Sequence, residues 1–124
     1  MWKKLETIPD YLLEAQRAIN ADDFEEVDRL LRTRAASGDV EAQVSLGTAI
    51  FLMRPDSRDE AEYFLKLATE AGHPLAANNL ATFYLSGPSP DHEKAEAAYR
   101  RAYELGFDLA PKPAWLEKKS DEQD

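Results

Sequence analysis

The sequence predicts an all-α fold, a solenoid of about three helical hairpins followed by a short C-terminal capping helix. Two observations carry that expectation. The chain of 124 residues holds 19 Ala and 15 Leu against 3 Val, 3 Ile and 5 Thr, favouring side chains that lose little rotamer freedom in a helix over those that suit a pleated sheet. It also repeats. Gly38, Gly72 and Gly106 are 34 residues apart, and the same offset carries Ala42 onto Ala76 and Ala110, Leu46 onto Leu80, Ala61 onto Ala95, and Ala68 onto Ala102. A chain of this length has room for one domain with a real core, expected over residues 1–116.

The hairpins follow from stop and start signals. Pro9 to Asn20 and Asp22 to Ser37 read as a first pair of helices, with Asp22 capping the second (hairpin about 9–37). In the next unit (39–72), Asp39 caps a helix that runs to about Met53, where Pro55 prevents continuation. Ser57 and Glu60 have capping-box spacing and open its partner, which passes through Ala61, Phe64, Leu65 and Ala68 to stop at Gly72. The third unit (73–106) repeats this grammar with Pro74 in a first turn, Gly87 as a stop, Ser89 or Asp91 as a cap and Gly106 as the final stop. Beyond it, Pro111, Pro113, Ala114, Trp115 and Leu116 suggest a capping helix within 107–116 whose indole covers the last apolar face, and residues 117–124 read as a disordered acidic tail.

Small residues in phase explain why such hairpins would stack. Gly47 and Ala81 on first helices, and Ala61, Ala68, Ala95 and Ala102 on second helices, let backbones approach, while Leu46, Leu80, Phe64, Leu65 and Tyr99 fill the space between. The first hairpin departs from this pattern. Leu12, Leu30 and Leu31 stand one period before Leu46, Phe64 and Leu65, but Leu13, Val27 and Arg34 occupy the positions of Gly47, Ala61 and Ala68, so this unit is expected to pack differently or to act as an N-terminal cap.

Composition excludes several classes of function. With no cysteine there is no thiolate chemistry or disulfide, and His73 and His92 alone make a poor imidazole site. His73, between Gly72 and Pro74, reads as a turn residue, and His92 falls in a first helical turn. The acidic groups Asp22, Asp23, Glu25, Glu26 and Asp28, and Asp56, Asp59, Glu60 and Glu62, lack the glycine-bearing loop of a calcium hand and read as caps and favourable charges at helix N-termini. No nucleophile motif or phosphate-cradling loop is present, so neither an enzyme nor a cofactor or metal is expected. A net charge of −9, negative in every hairpin, argues against nucleic acid and for a protein partner with a basic surface. No apolar run approaches the roughly 20 residues of a membrane span, and no secretion signal follows Met1, so a cytoplasmic protein is expected.

The stretch Leu80-Ala81-Thr82-Phe83-Tyr84-Leu85-Ser86-Gly87, followed by Asp91, Lys94-Ala95, Tyr99, Arg100, Ala102 and Gly106, resembles the Sel-one-like repeat, a close relative of the tetratricopeptide repeat. The central unit agrees at Leu46-Gly47, Ala61, Ala68 and Gly72, with Ile50 in place of the family's tyrosine and Met53 in place of its glycine. The inter-helix loop is about two residues shorter than is usual in that family, and the resemblance covers residues 38–106. It implies a right-handed α/α superhelix and the role of an adaptor or binding scaffold.

In such a superhelix the first helices line a concave face. The side chains expected there are Glu41, Val44, Thr48, Phe51 and Leu52, then Leu75, Asn78, Thr82 and Leu85, apolar in the middle and hydrogen-bonding at the edge. Phe51 and Leu52 can equally pack on the first hairpin. Asn79 stands near the position at which some tetratricopeptide domains hold a peptide's terminal carboxylate, without a Lys or Arg beside it. The leading expectation is a protein-binding scaffold. The alternatives are an immunity or antitoxin protein that captures a basic toxin with electrostatic steering, and a structural subunit that self-associates through its end hairpins, the chain otherwise being a monomer.

Overall fold

The computed structural model describes residues 7–108, and every regular element among them is helical. In order these are α1 (Asp10–Asn20), α2 (Phe24–Ala36), α3 (Val40–Met53), a single 3-10 turn (Pro55–Ser57), α4 (Arg58–Glu70), α5 (Pro74–Leu85) and α6 (His92–Glu104). The period of the sequence reappears in the element bounds. The helices α2, α4 and α6 are each 13 residues long and begin at residues 24, 58 and 92, while α3 and α5 begin at 40 and 74, so like helices start 34 residues apart. The all-α class is therefore the class observed.

Helix ends show why the repeat is so regular. Gly38 takes a left-handed conformation (φ +99°), donating its N–H to the Ala35 carbonyl while the Asp39 N–H reaches back to Arg34, which satisfies the open carbonyls at the end of α2. The Asp39 carboxylate then accepts from the Ala42 N–H at 3.2 Å and opens α3. Gly72 repeats this geometry, with His73 N–H bonded to the Ala68 carbonyl at 3.1 Å. His73 is more than a turn residue, because its Nδ1 accepts from the Ala76 N–H at 3.3 Å and caps α5 ahead of Pro74.

Two expected boundaries move. Asp22 does not cap α2; it holds the left-handed position (φ +58°) that ends α1, and Asp23 accepts from the Glu26 N–H instead. Pro55 does stop α3, yet the chain makes one 3-10 turn through Ser57 before α4 begins at Arg58. Of the two candidate caps for α6, Asp91 is the one used, accepting from the Lys94 N–H at 3.0 Å. Its own N–H bonds to the Tyr84 carbonyl at 2.8 Å and closes the loop that follows Gly87.

The chain forms two compact units, Met1–Leu67 and Ala68–Asp124. In the first, α1 packs on α2 and α2 on α3, with α1 also touching α3. Val27, Leu31, Leu46, Ile50 and Leu65 are fully buried there. Gln43, also buried, donates to the Ala35 carbonyl at 3.1 Å and so satisfies its amide across the α2–α3 junction. Gly47 is a point of close approach: a Cβ there would lie 3.0 Å from Leu65 Cγ and 3.2 Å from the Leu65 backbone nitrogen. In the second unit α5 packs on α6 around Ala76, Ala77, Ala81, Ala95 and Ala102, with Phe83 and Leu80 as the larger side chains and Tyr99 half-buried. The expected capping helix and tail lie beyond Asp108, outside the described residues.

The first hairpin differs as its sequence suggested. Leu13, in the phase of Gly47, is 42 % exposed, and Arg34, in the phase of the fully buried Ala68 and Ala102, lies at the surface over the Tyr11 ring.

These contacts set two expectations for denaturant unfolding. Gly47→Ala gains about 0.8–1.0 kcal/mol of helix propensity, but the added methyl meets backbone as well as side chain, and an overpacking cost of about 1–3 kcal/mol should leave the variant less stable than the native chain. Ala102→Leu, with no compensating gain in propensity, should lose about 1–3 kcal/mol.

Candidate functional site

The candidate faces are built on α3 and α5, which belong to different compact units and are described in turn. On α3, Glu41 and Leu52 are exposed, Leu52 at 65 %, while Thr48 and Phe51 are half-buried. Val44 does not belong with them. It is 5 % exposed and part of the core, because α3 is flanked by both α1 and α2 and buries most of its circumference.

The N-terminus of α3 is held by a polar cluster drawn from three helices. The Tyr11 hydroxyl donates to Asp39 Oδ2 at 2.5 Å, the other carboxylate oxygen of Asp39 caps α3, and the Arg34 guanidinium lies 3.8 Å from the centre of the Tyr11 ring. Desolvation first, and then the hydrogen bond to the Asp39 carboxylate, push the Tyr11 hydroxyl up from 10.0 to about 12. At the other end of α3, the Arg54 guanidinium sits 4.4 Å from the centre of the Phe24 ring at the start of α2. Further along α2, Arg32 joins Asp28 (2.6 Å) to Glu60 of α4 (2.6 Å), and the hydrogen bond to Glu60 raises the guanidinium pKa above its ordinary value.

On α5, Leu75 (42 %), Leu85 (38 %) and Thr82 are exposed and Asn78 and Asn79 are half-buried. The Thr82 hydroxyl donates to the Asn78 carbonyl one turn back, at 3.3 Å. Between Pro74 and Leu85 there is no Asp, Glu, Lys or Arg.

The charged side chains lie mainly on the second helices and pair within them, Glu26 with Arg29, Asp28 with Arg32, Glu96 with Arg100 and Arg101 with Glu104. Among the described residues no three His, Asp or Glu side chains stand where they could hold a metal ion, and no helix is long and apolar enough to cross a membrane. The faces on α3 and α5 can therefore offer apolar contact and amide or hydroxyl hydrogen bonds to a segment laid along them.

Sequence reading named these candidate faces, Val44 wrongly, and missed the side chains that steady them. The pairs Tyr11–Asp39 and Arg32–Glu60 each span 28 residues, and no local pattern marks them. The one available signal was Arg34, whose size breaks the small-residue column.

The Tyr11 shift carries a sign. A folded-state pKa above the unfolded one contributes stability that is complete below about pH 10 and is lost as pH rises through about 12. Alkaline melts of Tyr11→Phe should lack the part of the native decline that falls in this window, and should start from a stability about 1 kcal/mol lower at neutral pH. Compared with protein-family models, with curated proteins and with solved structures, the chain matches none of them.

Proposed function

We propose that the chain is a repeat protein of the Sel-one-like, tetratricopeptide-like kind. In this reading its hairpins form a right-handed α/α superhelix, and its work is non-enzymatic: it is a scaffold that binds a partner protein or peptide along its first helices. The observation that carries this reading is the division of charge between helices. Each of α2, α4 and α6 bears six charged side chains in 13 residues, whereas α3 bears one, Glu41, and α5 none. These two charge-poor helices nonetheless leave Leu52, Leu75 and Leu85 open to water. Solvent-facing helices normally carry charge opposite their apolar stripe. A surface that forgoes it while displaying leucines is suited to desolvation by a partner.

The common 34-residue spacing of helix starts supports the family reading, since stacking of identical units is what such spacing serves. A basic partner would meet only Glu41 on these faces, so capture of a basic toxin has no observation of its own behind it.

Leu52→Asp tests the proposal because so exposed a side chain can change with a stability cost within about 0.5 kcal/mol. Affinity capture from the native host should lose its specific partner with Leu52→Asp or Leu85→Asp while helical content and melting stay native. Retention of every captured protein by both folded variants would mean that these faces are idle.

A further inference from the structure

The face on α5 has an internal symmetry that names an occupant. Its members Leu75, Asn78, Thr82 and Leu85 are spaced three, four and three residues apart, the a/d spacing of a helix-pairing seam, and all four are exposed or half-buried. Read from either end the seam has the same form, leucine outside and a short polar residue inside. We infer that this seam pairs with its own counterpart on a second copy of the chain, the two α5 helices running antiparallel about a two-fold axis near Leu80.

In that arrangement Leu75 of each copy meets Leu85 of the other, and Asn78 meets Thr82. The central pairs are chemically matched. The Thr82 hydroxyl already donates its proton to the Asn78 carbonyl of its own helix, so its lone pairs face outward as acceptors for the other copy's Asn78 amide. A polar pair within an apolar seam sets register, since any slip buries amide and hydroxyl against leucine. Charge points the same way. The chain carries −9 overall, and α5 has no carboxylate or cation, so two acidic copies can meet there without bringing like charges into contact. A helix of 12 residues is about 18 Å long, and one such pair buries less than the roughly 1,200 Å² of a stable interface, so the association is weak and exchanging. This inference rests on the proposal that the first helices bind protein, and makes the partner of α5 a second copy.

The chain has no cysteine, which allows a clean test. Leu75→Cys and Leu85→Cys are made separately and oxidised alone and mixed. In the antiparallel pair the two copies of either position lie about 15 Å apart, beyond disulfide reach, whereas positions 75 and 85 of opposite copies adjoin. The mixture should yield linked dimer at least about tenfold above either variant alone, and sedimentation of the native chain should show reversible dimer that Thr82→Lys abolishes while melting stays native. Self-linking of Leu75→Cys, or no linking in the mixture, overturns the pairing. A native chain that stays monomeric at every concentration, while Leu85→Asp still loses a captured partner, also overturns it and leaves the scaffold reading standing. Dimer with unaltered capture in both Leu52→Asp and Leu85→Asp does the reverse.

Discussion

The structure depends on a three-residue turn in which ending one helix and starting the next are tasks of adjacent residues. At 37–39 and 71–73 a glycine in the left-handed region closes the carbonyl end, and the residue after it is both the last donor to the old helix and the cap of the new one. The cap contributes about 1 kcal/mol. Its larger effect is geometric: because no residue is spare, the registers of α3 and α5 are tied to those of α2 and α4, while the 34-residue period also depends on a compensation, α5 being two residues shorter than α3 and the link after it two residues longer. Asp22–Asp23 makes the same turn without glycine, which is tolerable because Asp is one of the few residues that visit the left-handed region.

Within that frame the hairpins solve one packing problem in two ways. Where Gly47 stands, an added methyl group would come within 3.0–3.2 Å of Leu65 and require it to give way, and the core around it is closed by Leu46, Ile50 and Leu65. The first hairpin has no such gap. It buries Val27 and Leu31, leaves Leu13 outside, and holds α1 with an aromatic ring pressed under a guanidinium and hydrogen-bonded to a capping carboxylate. Nesting of small residues needs no specific partner; the Tyr11 contact does. The departure of this hairpin from the repeat is a substitution of one cohesive device for another.

Helix bounds were legible in the sequence because their causes are local. Asp39, Pro55, Gly72, Pro74, Asp91 and Gly106 each act within a few residues of themselves, and the observed helices begin or end where they act. The misread start at Asp22 came from two adjacent acids either of which could cap. The candidate faces were legible only in part. An aliphatic side chain on a helix looks the same in sequence whether it faces water or core, so Leu52 and Val44 could not be told apart until α1 and α2 were seen packed on α3. The Arg32–Glu60 ion pair and the tyrosine contact were invisible because each joins positions 28 residues apart.

Asp39 concentrates several of these relations in one carboxylate. One oxygen opens α3, the other receives the Tyr11 hydroxyl from α1, and its amide closes α2. A change there is felt at three helices at once, and a change at Tyr11 or Arg34 alters what the carboxylate must balance. Substitutions at positions 11, 34 and 39 are accordingly not independent: in diverging descendants of this chain they are constrained to drift as a set, within the hairpin that departs furthest from the repeat.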